Sequence, residues 1–415
     1  AVNDAVESLY LVAPLALYLL FLPDRWHHSR WNRALLATGF VATIAGLVFL
    51  SVAEYFFFEE FDARFNLVAF DYLVYPAEVF VDIWEAYPVM SGLLGSLALA
   101  AFTTWQLRRW LLPGDAPASS LRQRLAPFAV HTMLLVGAVA VYPTNALSWS
   151  SNRVENELLQ NGYSSFFRAA ETNEIDYHAY YASGDPARNL KLLANALEAG
   201  GGKLTRLDEG RLDRRFPARA DGLGRLNVVV ISSESFGAKF SRLYGSKHDL
   251  TPNFDAYAQR GIWFANTYAS GTRTVRGLEA LTASFPPIPT VSIVRRPGND
   301  GIATWGRVMR DLGYDTSFLY GGYGYFDNMN AFYAGNGYEV LDRNAIDHVR
   351  FENIWGVADE DLFDLALHHF TDLHARGKPF FSIVMTTSNH KPFTFRTGLE
   401  QYGIKPEGGG RQSGV

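Results

Sequence analysis

The run from Ala34 to Phe58 constrains this chain more than any other stretch, because it is apolar nearly throughout and Ala34 to Leu50 shows almost no polar face. A bilayer crossing takes about 20 mostly apolar residues, whereas a helix of a soluble bundle keeps a polar stripe for solvent. The run therefore predicts a membrane span. Leu9 to Leu22, Val89 to Trp105 and Phe128 to Tyr142 are similar, the first and last being short for a full crossing. The chain is 48% hydrophobic and 14% aromatic, and the excess lies before Asn145.

Charge between the runs sets an orientation. Arg25, Arg30 and Arg33 occupy the first gap and Arg108, Arg109, Arg122 and Arg124 the third, while the segment from Glu54 to Glu85 is acidic, with Arg64 as its only basic residue. Basic gaps stay in the cytoplasm. Four alternating crossings then put the chain start, the acidic gap and everything after Pro143 outside the cytoplasm. Within the acidic gap, Phe65 to Phe80 mixes aromatics with Asp71 and Glu78, as an interfacial helix or an ordinary loop would.

A net charge of -5 with a pI near 6.1 excludes nucleic-acid binding as a function class. The absence of cysteine excludes disulfides, thiolate metal sites and thiol nucleophiles, and leaves the redox compartment open. No charged leader or cleavage site precedes the first apolar run, and the sequence is expected to start inside or just before a helix.

The organisation is thus a transmembrane helical domain over 1–143, an amphipathic connector over 144–225 and an extracytoplasmic domain over 226–415. The connector is expected to hold two or three helices and no chemistry. Its Asn161-Gly162-Tyr163 and Asp176-Tyr177 read as turn and packing residues.

After Leu226 strand-like and helix-like runs alternate. Asn227 to Ser232, Ile262 to Tyr268, Thr316 to Tyr320 and Phe380 to Thr386 read as strands. Pro252 to Arg260, Val275 to Ser284, Trp305 to Leu312 and Asp359 to Ala375 read as helices. Such alternation predicts a mostly parallel α/β sheet that binds ligands beyond its carboxyl edge. Glu234 follows the first strand and His390 the last. Thr274 follows the second, near a helix N-terminus that favours an anion. Carboxylate and hydroxyl would meet over a phosphate; Thr272 and Ser270 compete with Thr274 as the hydroxyl. Gly321-Gly-Tyr-Gly-Tyr-Phe-Asp-Asn328 follows a strand and offers Asp327 and Asn328 to a substrate headgroup, or is a glycine turn over core aromatics.

Asn227-Val-Val-Val-Ile-Ser-Ser-Glu-Ser-Phe236, Gly271-Thr-Arg-Thr-Val-Arg-Gly-Leu-Glu279 and Thr387-Ser-Asn-His-Lys-Pro-Phe393, after a multi-span half, resemble the lipoteichoic acid synthase and phosphoglycerol transferase family of the alkaline phosphatase and sulfatase superfamily. The resemblance implies a sulfatase-like fold in the α/β half. It makes Thr274 the nucleophile and, with Glu234, a ligand of a divalent metal, and makes His390 a substrate-binding residue. Arg273 and Arg276 would spread charge on a phosphoryl group. An oxygen-rich, thiolate-free site suits manganese, with magnesium or zinc as alternatives.

The implied reaction moves a phosphoglycerol-type group from a phosphatidylglycerol-like donor to an envelope glycan or lipid, outside a bacterial-type cell membrane. Phosphoethanolamine transfer, sulfatase-like hydrolysis and non-catalytic binding of an envelope polymer are the alternatives. The sulfatase reading suffers from the missing cysteine. The family also completes its metal site with a later Asp-His pair, and neither residue follows His390. The expectation is a fragment, cut at both ends, that binds metal poorly.

Overall fold

A computed structural model describes residues 2–398 apart from 62, 67–68, 71, 74, 115–118, 142–149, 151–152, 173–182, 209–210, 218–221, 223, 272 and 287–290. The chain divides into two compact units, 1–173 and 174–415.

The first unit is helical. Its apolar runs become α1 (Val2–Phe21), α2 (Arg30–Phe61), α4 (Val89–Leu111) and α5 (Leu121–Val141). The first and last are longer than their apolar cores suggest, since each begins with a polar turn. α1, α2 and α5 are each long and apolar enough to cross a membrane. α4 meets that test together with α3 (Pro76–Ala86), to which it lies at 82°. Pro88 explains the bend: it holds the preceding Tyr87 extended and cannot continue α3. The interfacial stretch expected at Phe65 to Phe80 is thus displaced, with Glu78 and Phe80 on α3; Asp71 lies outside the described residues.

α1 packs on α5 and α2 on α4, leaving Leu11, Leu17, Leu94, Phe102, Met133 and Val136 exposed. α6 (Arg153–Leu159) and α7 (Gly162–Thr172) belong to this unit. The Glu54 carboxylate pairs with Arg64 at 2.9 Å and fills the space a side chain at position 162 would occupy. Beside it Asn161 donates to Asp4 at 2.9 Å. Asn161 and Gly162 are therefore anchoring residues; Asp176 and Tyr177 lie outside the described residues.

The second unit opens with α8 (Pro186–Ala199), capped by Asp185, whose carboxylate accepts from the Arg188 N–H at 2.8 Å. An antiparallel hairpin follows, β1 (Lys203–Asp208) and β2 (Arg211–Arg215), where only helices were anticipated.

The domain beyond is a parallel sheet in the order β3-β8-β4-β5, with β3 (Val228–Ser232), β4 (Asp315–Tyr320), β5 (Glu339–Leu341) and β8 (Phe380–Met385). Every pairing in it is parallel. The intervening helices are α9 (Pro252–Arg260), α10 (Thr274–Ala283), α11 (Trp305–Asp311), α12 (Met329–Gly335) and α13 (Asp359–Ala375). A two-strand ribbon, β6 (Glu352–Asn353) and β7 (Gly356–Val357), precedes α13.

Central strands β4 and β8 are apolar on both faces, as parallel strands covered by helices must be. Phe318, Phe381 and Ile383 enter one core with Leu278 of α10 and Phe332 and Tyr333 of α12. Leu319 and Val384 enter the other with Leu362 and Ala366 of α13. The Phe318 and Tyr333 rings stack at 3.6 Å, and the Tyr333 hydroxyl shares a 2.9 Å hydrogen bond with Thr282.

One expected strand is absent. Ile262 to Tyr268 is irregular, with Ile262 85% and Tyr268 87% exposed. Its composition is strand-like, but it pairs with no strand among the described residues; the sheet's fourth position goes to β5 instead.

Candidate active site

β3 ends at Ser232, and the chain turns through Ser233 into Glu234 at the carboxyl edge of the sheet. Two contacts from the segment after β8 hold this turn. The Glu234 N–H donates to Thr386 Oγ1 at 2.9 Å, and Asn389 Nδ2 donates to the carbonyls of Glu234 and Ser235 at 3.2 and 3.0 Å. Ser235 has φ 50° and donates its hydroxyl to Glu234 Oε1 at 2.9 Å. A non-glycine residue in the left-handed region is held there by its surroundings.

Thr274 opens α10, and its hydroxyl donates to Glu234 Oε2 at 2.9 Å. A nucleophile candidate, a carboxylate acceptor and the free N–H groups of a helix start therefore coincide. Ser270 is on the irregular stretch before α10, and Thr272 lies outside the described residues. Arg273 is the N-cap residue. Arg276 turns into the domain and pairs with buried Glu279 at 3.0 Å; Glu279 also accepts from Ser292 Oγ and the Ile293 N–H, each at 2.8 Å.

A second group forms where three loops converge. The Trp355 ring, between β6 and β7, lies 4.0 Å from the His390 ring and 5.3 Å, edge-on, from Phe326. His390 Nδ1 is 2.9 Å from the Lys391 carbonyl, which places the Nδ1 proton toward it and leaves Nε2 as the acceptor. Asp327 and Asn328 both have left-handed backbone, φ 51° and 61°. Asp327 is buried with Arg295 at 3.8 Å, and Asn328 Nδ2 donates to the Val294 carbonyl at 3.0 Å.

Tyr320, at the end of β4, is buried within the field of carboxylates from both groups. Burial raises its phenol pKa, and the Glu234 and Asp327 carboxylates add to the rise, so it stays protonated at neutral pH. Near it Asp359 accepts from the N–H groups of Thr387 and Ser388 at 2.9 and 3.1 Å; burial nonetheless pushes its carboxyl above the usual range.

Neither Trp355 nor Tyr320 stood out in the sequence. The signal lay in the glycines. A Cβ on Gly322 would fall 2.5 Å from the Trp355 carbonyl and one on Gly356 2.3 Å from the Gly321 carbonyl, so the glycines serve contact between these two loops.

Glu234 and Thr274 suit a hard divalent cation in kind, both offering oxygen. They do not suit it in number: among the described residues no group of three or more His, Asp or Glu side chains is gathered to hold a metal ion.

Residues 226–410 match the family model described as Sulfatase. Phosphoglycerol transferase I of Escherichia coli O127:H6 is 24% identical over 196 residues, 43% of this chain and 25% of that protein. Its counterpart in Escherichia coli strain UTI89 is 25% identical over 188 residues, 41% of this chain and 24% of that protein. The chain thus spans about a quarter of the length of these relatives. A crystal structure of a protein in the alkaline phosphatase superfamily from Vibrio parahaemolyticus is 37% identical with a TM-score of 0.50, over 56% of each chain. The parallel sheet, the family match and this structural likeness agree: the second unit carries a sulfatase-like domain, similar in fold to the alkaline phosphatase superfamily.

Proposed function

We propose that the chain belongs to a membrane-anchored transferase that moves a phosphoglycerol-type group from a phosphatidylglycerol-like lipid to an envelope glycan or lipid, through a phospho-threonine at Thr274. The observation that carries this reading is the 2.9 Å hydrogen bond from Thr274 Oγ1 to Glu234 at the carboxyl edge of a sulfatase-family sheet. The names of the relatives support the group transferred, and the apolar helices support a lipid donor.

In the first step Thr274 Oγ1 attacks phosphorus and its proton passes to Glu234. The new Oγ1–P bond replaces the bond to the glycerol oxygen of the lipid, and diacylglycerol leaves with the proton that Glu234 took up. In the second step an acceptor hydroxyl gives its proton to Glu234 as its oxygen attacks the same phosphorus, the Oγ1–P bond breaks and Glu234 returns that proton to Thr274. The N–H groups at the start of α10 and the Arg273 guanidinium stabilise charge on the phosphoryl oxygens. His390, oriented by Trp355 and the Lys391 carbonyl, presents Nε2 to the transferred group, while Arg276, Asp327 and Asn328, expected as substrate contacts, are instead engaged with Glu279, Arg295 and the Val294 carbonyl and support the site from behind. Glu234 and Thr274 are the oxygen donors that the described residues would offer a divalent cation such as manganese, too few by themselves to hold one.

The arginine-rich first and third gaps support a catalytic side outside the cytoplasm of a bacterial-type membrane. The test supplies the protein with labelled phosphatidylglycerol and manganese. Diacylglycerol release and label on Thr274 are expected, and both vanish in Thr274→Ala. Undiminished release by that variant would overturn the mechanism.

A further inference from the structure

We propose that α3 is a membrane-surface helix whose Phe80, Ile83 and Trp84 face lies among the headgroups and upper acyl carbons of the bilayer. This rests on reading α1, α2, α4 and α5 as spans.

The sequence of α3 divides by face. Phe80, Ile83 and Trp84 recur at the spacing of one helical stripe, while Glu78, Asp82 and Glu85 occupy the opposite arc. Val79 turns inward and is buried, so the helix is already docked on its own unit by another side. The apolar stripe is what it leaves uncovered: Phe80 is 62%, Trp84 44% and Ile83 37% exposed. The Phe80 and Trp84 rings stack at 5.7 Å with 28° between their planes, forming one flat aromatic surface.

Geometry selects lipid as the occupant. The 82° angle to α4 lays α3 nearly in the plane of a bilayer that α4 crosses. Its depth follows from the bend between the two helices, where the Tyr87 ring lies 5.1 Å from Phe56, close to the end of α2. Below that level, Leu47, Val48, Ser51, Val52, Tyr55 and Phe56 line an open groove of about 460 Å³ on α2. The uncovered apolar surface of α2 thus runs up to the bend from which α3 departs. An aromatic stripe with a carboxylate-bearing opposite face is the chemistry of that boundary, where indole and phenyl rings settle and carboxylates stay in water. The three carboxylates also weigh against α3 entering the hydrocarbon as part of a bent crossing.

The chain has no native cysteine, so single-cysteine variants of the full chain report one position each. Nitroxide labels at Phe80→Cys, Ile83→Cys, Trp84→Cys and Glu85→Cys, with Leu50→Cys on α2 as the bilayer reference, are compared in phosphatidylcholine and phosphatidylglycerol vesicles. The readout is collision with oxygen against collision with a water-soluble nickel chelate.

Labels at 80, 83 and 84 are expected to meet nickel at least about fivefold less than the label at 85, and to lie shallower than the label at 50. Nickel access at 80 and 84 equal to that at 85, with 50 shielded, overturns the inference and leaves the spans standing. Immobile labels at 80 and 84, shielded from both reagents, also overturn it, since protein then covers the stripe. Nickel access at 50 removes the membrane reading itself.

Discussion

Glu234 and Thr274 stand 40 residues apart in the chain and one hydrogen bond apart in space. In the proposed reaction Glu234, as a carboxylate, takes the threonine proton; as an amide it would only accept a hydrogen bond. Glu234→Gln is therefore expected to lower kcat by about 10²- to 10⁴-fold with an unchanged melting temperature, measured as diacylglycerol release. Thr274→Ser, which keeps the hydroxyl, should retain far more activity than Thr274→Ala. Equal loss in both would show that the methyl group, and hence packing, is what matters. Gly356 tests the loop contact behind Trp355. Its φ is 148° and an added Cβ would fall 2.3 Å from the Gly321 carbonyl, a backbone atom that cannot swing aside. Gly356→Ala is expected to cost roughly 2–4 kcal/mol in denaturant melting.

At the scale of elements, Asp342 ties the end of β5 to the loop after β4. Its carboxylate accepts from the N–H groups of Gly324 and Asn344 at 3.1 and 3.0 Å and from Asn330 Nδ2 at 2.7 Å. Burial works to raise its pKa, but these hydrogen bonds to the charged form outweigh it and the carboxyl titrates below the ordinary value of 3.8. A depressed folded-state pKa stabilises the fold at pH above the unfolded value and loses that contribution as pH falls through the folded one. Asp342→Ala should destabilise by about 1–3 kcal/mol at pH 7 by orphaning buried donors, and the gap to the parent should narrow in melts taken below pH 4. A gap constant from pH 7 to pH 3 would remove the electrostatic part of this account.

The same loops show what the sequence made legible. β3, β4 and β8 were readable as short apolar runs between turns, and Glu234 and Thr274 as a strand end and a helix start. β5 was not, because three residues carry no period. Ile262 to Tyr268 misled because composition reports a taste for the pleated surface and says nothing of a partner strand. Trp355 and Tyr320 escaped for a related reason: contacts between distant loops put them at the site, and only the small residues opposite, Gly321, Gly322 and Gly356, hint at that in the chain.

For the whole molecule the decisive quantity is the number of crossings, because parity fixes which side of the membrane carries the sulfatase-like domain. α1, α2 and α5 qualify alone, and three crossings would leave the chain start and the residues after α5 on opposite sides. A fourth crossing restores them to one side. α4 alone, at 23 residues, is about 34 Å long, enough for a hydrocarbon core of about 30 Å. Sinking α3 as well would add Glu78, Asp82 and Glu85, and an acidic side chain at the bilayer centre costs roughly 2.5–3.5 kcal/mol. Four crossings, with α3 outside the hydrocarbon, therefore satisfy both length and charge, and the arginines at 25, 30, 33, 108, 109, 122 and 124 all fall on one side. Single cysteines at Ser29, between α1 and α2, at Ser119, between α4 and α5, and at Lys191, on α8, separate the cases. In intact cells a membrane-impermeant maleimide should label Lys191→Cys at once and Ser29→Cys and Ser119→Cys only after permeabilisation. Labelling of both Ser29→Cys and Ser119→Cys in intact cells with Lys191→Cys protected would invert the orientation, and labelling of only one of Ser29→Cys and Ser119→Cys would show that α4 does not cross and that the number of crossings is odd.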